Sequence, residues 1–160
     1  MVEPLRVLIL GGTGEARRLA GELDGDARIH VETSLAGATA KPAEIAGDVR
    51  CGGFGGAAGL EAYLTAQDID LLVDATHPFA DTISRSAVTA SENCTTDRLV
   101  ICRPAWAEQA GDRWISVANV EEAAACVSEY ASRVFLTIGR QEIDAFAECR
   151  DAWFLIRLID

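Results

Sequence analysis

"LRVLILGGTGEA" occupies residues 5–16, and its reading decides the fold. "LRVLILGG" (5–12) reads as the first strand, nearly continuously apolar as in a strand covered on both faces. "GEARRLAGELDG" (14–25) carries Ala16, Leu19, Ala20 and Leu23 at helical spacing, with Gly25 as a stop. A strand, a glycine turn and a helix in that order open a doubly wound α/β sheet, and in that setting backbone amides at the helix start can approach a phosphate. Gly12 and Gly14 fit the first two positions of G-x-G-x-x-G, but Arg17 stands at the third, so the fingerprint is incomplete.

Strand-length apolar runs alternate with helical stretches along the rest of the chain, which predicts a parallel sheet. "ARIHVETSL" (27–35) reads as a second strand, nearer an edge because His30 alternates with Ile29 and Val31. A glycine- and alanine-rich stretch follows, running to "RCGGFGG" (50–56), with a helix expected at about 57–67. "IDLLVDA" (69–75) is the next strand, a helix begins near Phe79 or Ala80, and "RLVICRP" (98–104) is a further strand. A short strand "WISV" (114–117) precedes "NVEEAAACVSEYAS" (119–132), whose Asn119 and Glu122 have capping-box spacing. "RVFLTIG" (133–139) and "WFLIRLI" (153–159) then bracket another helix. The expected organisation is a Rossmann-like parallel sheet domain over 1–103, followed over 104–160 by a second α/β domain on the substrate side, incomplete because the chain stops just after a strand.

The chain has 160 residues, enough for a real core, and no apolar run of the roughly 18–20 residues that a membrane span needs. A short apolar N-terminus broken by glycines does not read as a signal peptide, so the expected location is cytoplasmic. Fourteen basic against twenty-five acidic residues give a net charge of −11, which disfavours nucleic acid and anionic membrane as partners. Cys51, Cys94, Cys102, Cys126 and Cys149 are scattered without metal-ligand spacing, so reduced thiols and no metal site are expected. The sequence holds no P-loop, H-E-x-x-H or G-x-S-x-G motif. Neither Tyr63 nor Tyr130 is followed by lysine four residues later, the pair that activates alcohols in short-chain dehydrogenases.

Three groups of residues could carry chemistry. The turn is the first, with Gly12, Thr13, Gly14 and Glu15; at the tip of the second strand, where an acid would select NAD, stand Thr33 and Ser34, small hydroxyls that tolerate the 2′-phosphate of NADP. Lys41, the only lysine, and Arg17 are possible sources of positive charge or simply solvated. "DATHPFA" (74–80) is the second, placing Thr76 and His77 at the ligand-binding edge of the sheet; Pro78 biases His77 away from helix, and Thr76 could cap the next helix. The arginines Arg103, Arg140 and Arg157, at strand ends, form the third; each can grip a carboxylate or serve a structural salt bridge.

"ILGGTGEARRLA", "CGGFGG", "DATHPFA" and "FLTIGRQ", in this order and with "LIRLID" after them, resemble the precorrin-6A reductases of cobalamin biosynthesis. The resemblance spans nearly the whole chain. It implies an NADPH-dependent reduction of one double bond of the precorrin-6A macrocycle, giving precorrin-6B, in a cleft between two Rossmann-like domains. It also implies that Gly12 to Glu15 hold the cofactor, that Ser34 to Gly37 lie beside the adenosine, and that Gly52 to Gly56 form a loop near the cofactor, with Gly53, Phe54 and Gly55 as its contacts. Thr76, His77 and Pro78 would face nicotinamide and substrate, with His77 and Thr76 the catalytic candidates; a macrocycle rimmed with carboxylates also needs local arginines, for which Arg103, Arg140 and Arg157 are the candidates because they stand at strand ends. Family members often carry arginine after "SLAG", where this chain has Ala38, and usually continue for roughly another 80–100 residues, the size of a compact domain. A monomer or weak oligomer is expected. The rival readings are another NAD(P)-dependent oxidoreductase with a smaller substrate and a non-catalytic dinucleotide sensor.

Overall fold

The computed structural model describes residues 3–37 and 44–158; Ala38 and Lys41 lie outside them. The chain divides into two compact units, Met1–Ala105 and Trp106–Asp160.

The first unit is a five-stranded, all-parallel sheet in the order β3-β2-β1-β4-β5. Its strands are β1 (Leu5–Leu10), β2 (Ile29–Leu35), β3 (Asp48–Cys51), β4 (Leu71–Asp74) and β5 (Asp97–Val100). Helix α1 (Gly14–Leu23) covers one face and helices α2 (Ala57–Ala66) and α3 (Asp81–Cys94) the other. Alternation along the strands assigns the side chains. Val7, Ile9, Val31 and Val73 meet Ala16 and Ala20 of α1, while Leu8, Leu10 and Leu72 meet Leu60, Leu64, Ala87 and Ala90 of α2 and α3. Complete burial of Leu8, Leu60, Leu64 and Leu72 stabilises the unit by about 1.5–3 kcal/mol per side chain. The α/β doubly wound reading of "LRVLILGGTGEA" is therefore correct.

Several expectations need correction. The first strand ends at Leu10 rather than residue 12, because Gly12 turns the chain with φ +106°. β2 is an interior strand: β3, absent from the sequence reading, takes the edge beyond it and pairs Ser34 with Arg50 and Leu35 with Cys51. Thr76 does not cap α3, whose cap residue is Ala80 without a side-chain bond. "WISV" is not a strand; Trp114, Ile115 and Val117 are exposed.

The second unit has α4 (Val120–Tyr130) and a two-stranded parallel sheet of β6 (Arg133–Leu136) and β7 (Trp153–Ile156). A single 3-10 stretch, Arg140–Phe146, replaces the helix expected between those strands. Asn119 caps α4 by accepting from the Glu122 amide at 2.8 Å, and the Glu122 carboxylate accepts from the Ala118 amide at 2.7 Å. Ala124, Leu136 and Phe146 form its core.

Candidate active site

In a parallel sheet every strand delivers its following loop to the same edge. Here that edge gathers the Gly11–Gly14 turn after β1, residues 36 and 37 after β2, the Gly52–Gly56 loop after β3, "ATHPFA" after β4 and residues 101–105 after β5.

The glycine turn is packed below and open above. A Cβ added at Gly11 would lie 2.8 Å from Cγ2 of Thr33, whereas one at Gly12 or Gly14 would meet nothing within 4 Å. The backbone of the turn is therefore accessible at the start of α1, where free amides and the helix dipole favour an anion. Thr33, expected to touch a cofactor, is fully buried and supports Gly11 from beneath. The Thr13 hydroxyl does two jobs. It accepts from the Ala16 amide at 3.2 Å, capping α1, and donates to the Ala75 carbonyl at 2.6 Å, tying the turn to the segment after β4.

The loop after β3 is a run of open backbone. Gly52, Gly55 and Gly56 have φ of +115°, +78° and +95°, and a Cβ on any of them, or on Gly53, would meet nothing within 4 Å. Gly59, in the first turn of α2, has no such freedom: a Cβ there would overlap the Phe54 carbonyl. Phe54 is half-buried and stacks edge-to-face on Tyr63, ring centres 5.2 Å apart. The Tyr63 hydroxyl donates to the Glu32 carboxylate at 2.7 Å, and burial together with that acceptor pushes its pKa up to about 12.

Asp74 closes β4 in a buried position, and its Oδ1 accepts from both the Thr76 amide (3.1 Å) and the Thr76 hydroxyl (2.7 Å). Ser84 of α3 lies 3.3 Å from the same hydroxyl. With its hydrogen directed at Asp74, the Thr76 hydroxyl is fixed as a hydrogen-bond acceptor for anything else. His77 is exposed, and its Nδ1 accepts from the Phe79 amide at 3.2 Å. In the neutral ring the proton therefore sits on Nε2, which makes no hydrogen bond to another described residue.

The structure brings Gly12, Thr13, Gly14, Glu15, Ser34, Gly37, Gly53, Phe54, Gly55, Thr76, His77 and Arg103 to one sheet edge. Arg103 pairs with Glu15 at 3.3 Å, so two residues expected to serve different ligands hold each other. Arg140 and Arg157 belong to the second unit, both exposed and both following its strands at their C-terminal ends. The sequence reading overlooked Asp74 as the anchor of Thr76, although an acid closing an apolar strand was visible. It also overlooked Arg50, whose surroundings come from three separate elements.

The chemistry of this edge fits the phosphates of a nucleotide: at the start of α1 the turn carries no side chain at Gly12 or Gly14, and nothing lies within 4 Å of where a Cβ would stand, so its backbone amides are open to an anion. Among the described residues no cluster of His, Cys, Asp or Glu could hold a metal ion, and no helix is long and apolar enough to cross a membrane.

Comparison with known proteins agrees with the motifs. Residues 6–160 match the family model described as precorrin-6x reductase CbiJ/CobK. The chain is 47% identical over 155 residues to a precorrin-6A reductase of Rhodococcus erythropolis, covering 97% of this chain and 62% of the relative. It is 45% identical to a precorrin-6A reductase of a Sinorhizobium species, covering 99% and 61%. A solved structure of a CobK precorrin-6A reductase superimposes with a TM-score of 0.90 at 41% identity, covering 97% of this chain and 61% of that one. The chain thus spans about three-fifths of the length of these relatives. Sheet order, open glycine turns, "DATHPFA" and these matches together place the chain in the precorrin-6x reductase CbiJ/CobK family.

Proposed function

We propose that the protein carries out the NADPH-dependent reduction of one double bond of precorrin-6A, yielding precorrin-6B in cobalamin biosynthesis. One observation carries this reading: in a member of this family, two uncovered glycine turns and the "DATHPFA" segment converge on a single sheet edge. The residues of this edge would hold NADPH, which would supply the hydride for one atom of the double bond, the proton for the other atom coming from a side chain, a substrate carboxylate or water.

The chain's own residues then have distinct tasks. Gly12 and Gly14 let amides reach the pyrophosphate, and Thr13 keeps that turn in register with the segment after β4. Ser34, Gly37, Gly53, Phe54 and Gly55 border the adenosine. Thr76 is a positioning residue, because its hydrogen is held by Asp74. His77 presents an Nε2–H donor that orients a carbonyl or carboxylate of the bound partners. Arg103 takes a substrate carboxylate in exchange for Glu15, and Arg140 and Arg157, each at a strand end of the second unit, are separate candidates for the same chemistry.

In this reading residues 1–103 form the dinucleotide domain, and 104–160 belong to a substrate-side domain. A net charge of −11 supports a small-molecule partner rather than nucleic acid, and a monomer or weak oligomer in the cytoplasm fits a biosynthetic reductase. The test is to add precorrin-6A to protein and NADPH and follow loss of the reduced-nicotinamide absorbance. Stoichiometric formation of precorrin-6B is expected. Oxidation of NADPH by smaller unsaturated substrates but not by precorrin-6A would favour a different reductase, and tight NADPH binding without turnover a sensor.

A further inference from the structure

Arg50 is the last residue but one of β3, directly beside Ser34 in the sheet. Ser34 lies twenty positions beyond Gly14 at the tip of β2, where a dinucleotide fold places the group that reads the adenosine 2′-position. An acid there selects the 2′-hydroxyl; a cation accommodates a 2′-phosphate. The Arg50 side chain is half-buried and held in one orientation. Its Nη1 donates to the Ser34 hydroxyl and to the Gly52 carbonyl, both at 2.9 Å. Its guanidinium carbon lies 4.0 Å from the Phe54 ring centre and 4.9 Å from that of Tyr63.

Two features separate this arrangement from a plain structural clamp. Nε and Nη2 make no hydrogen bond to another described residue, so the outer edge of the fork keeps its donors. Nor does any described carboxylate pair with Arg50, in a chain with 25 acidic and 14 basic residues; the nearby Glu32 accepts from Tyr63 instead. A partly buried, oriented and uncompensated cation beside open glycine backbone is built to receive a dianion.

We infer that Arg50, oriented by Ser34, Phe54 and Tyr63, is the residue that recognises the 2′-phosphate of the cofactor and sets preference for NADPH over NADH. The inference rests on the dinucleotide reading of this sheet edge.

The test is a binding titration of the unmodified chain and of R50Q and R50K with 2′,5′-ADP and 5′-AMP, which differ only in the 2′-phosphate, and with NADPH and NADH. The wild-type chain should prefer 2′,5′-ADP by about 10- to 100-fold, the range of a hydrogen-bonded charge pair, and less so as salt rises. R50Q should bring that preference to within about threefold with 5′-AMP affinity unchanged, and R50K should keep part of it because it retains a point charge without the fork. The unchanged 5′-AMP affinity also reports that R50Q is folded. Equal weakening of both probes in R50Q would make Arg50 a structural clamp, and an unaltered preference would place recognition elsewhere; either result overturns the inference while NADPH binding persists. Failure of the wild-type chain to bind any of the four would remove the dinucleotide reading and this inference together.

Discussion

Replacing Thr13 by valine, which has the same shape, tests the brace that holds the two central segments of the proposed site together. The hydroxyl makes two bonds inside the first unit: it accepts from the Ala16 amide at 3.2 Å and donates to the carbonyl of the buried Ala75 at 2.6 Å. Loss of the helix cap costs about 1 kcal/mol. Leaving a buried carbonyl without its donor adds about 1–3 kcal/mol. Thr13→Val should therefore destabilise the first unit by roughly 2–4 kcal/mol, whereas Thr13→Ser, which keeps both bonds, should stay within about 0.5 kcal/mol of the wild type. All three tryptophans (106, 114 and 153) lie in the second unit, so their fluorescence does not report on this change directly. Urea unfolding followed by far-ultraviolet circular dichroism, together with hydrogen exchange of the β1 and β4 amides, does. A Thr13→Val chain as stable as the wild type, with β4 exchange unaltered, would show that the turn and the "DATHPFA" segment are not coupled through Thr13.

Three other outcomes follow from the same geometry. Tyr63 has a folded pKa of about 12 against 10.0 for an ordinary tyrosine, so its stabilising effect is complete below pH 10 and is lost as pH rises toward 12; ultraviolet titration should show a late tyrosine that disappears in Tyr63→Phe. Gly12→Ala places a side chain at φ +106° in open space, costing about 1–2 kcal/mol of stability in backbone strain, and NADPH affinity measured by calorimetry should fall separately because the added methyl covers the open turn. His77→Gln keeps a donor near the Nε2 position, while His77→Asn keeps only the bond to the Phe79 amide. If His77 orients its partners, the glutamine variant retains turnover within about tenfold and outperforms asparagine; a loss of about 10²–10⁴ in both would instead mark an essential proton donor.

The doubly wound core was legible because β1 is buried on both faces and leads through glycine into an amphipathic helix, a purely local pattern. β3 was not, since Asp48, Arg50 and Cys51 surround a single apolar residue, Val49; its strand character comes from pairing with β2, sixteen residues earlier at Ser34. "WISV" failed in the opposite way, apolar enough for a strand but with no strand partner among the described residues. The same distinction governs the site. "GGTGEA" and "DATHPFA" announced themselves as motifs, but the restraint of Thr76 by Asp74, the burial of Thr33 under Gly11 and the setting of Arg50 depend on which side chains the sheet brings together. The Glu15–Arg103 pair could not be read either, because its partners are 88 residues apart in sequence and meet only across the strand ends.

The central claim is that the C-terminal edge of the five-stranded sheet is a dinucleotide site. Amide chemical-shift mapping of the labelled chain during an NADPH titration tests it most directly. The account predicts saturable one-to-one binding, with the largest shifts at residues 11–15, 34–37, 50–56 and 75–79, and the opposite ends of the strands unmoved. Shifts clustered away from that edge, or none at saturating NADPH, would contradict it.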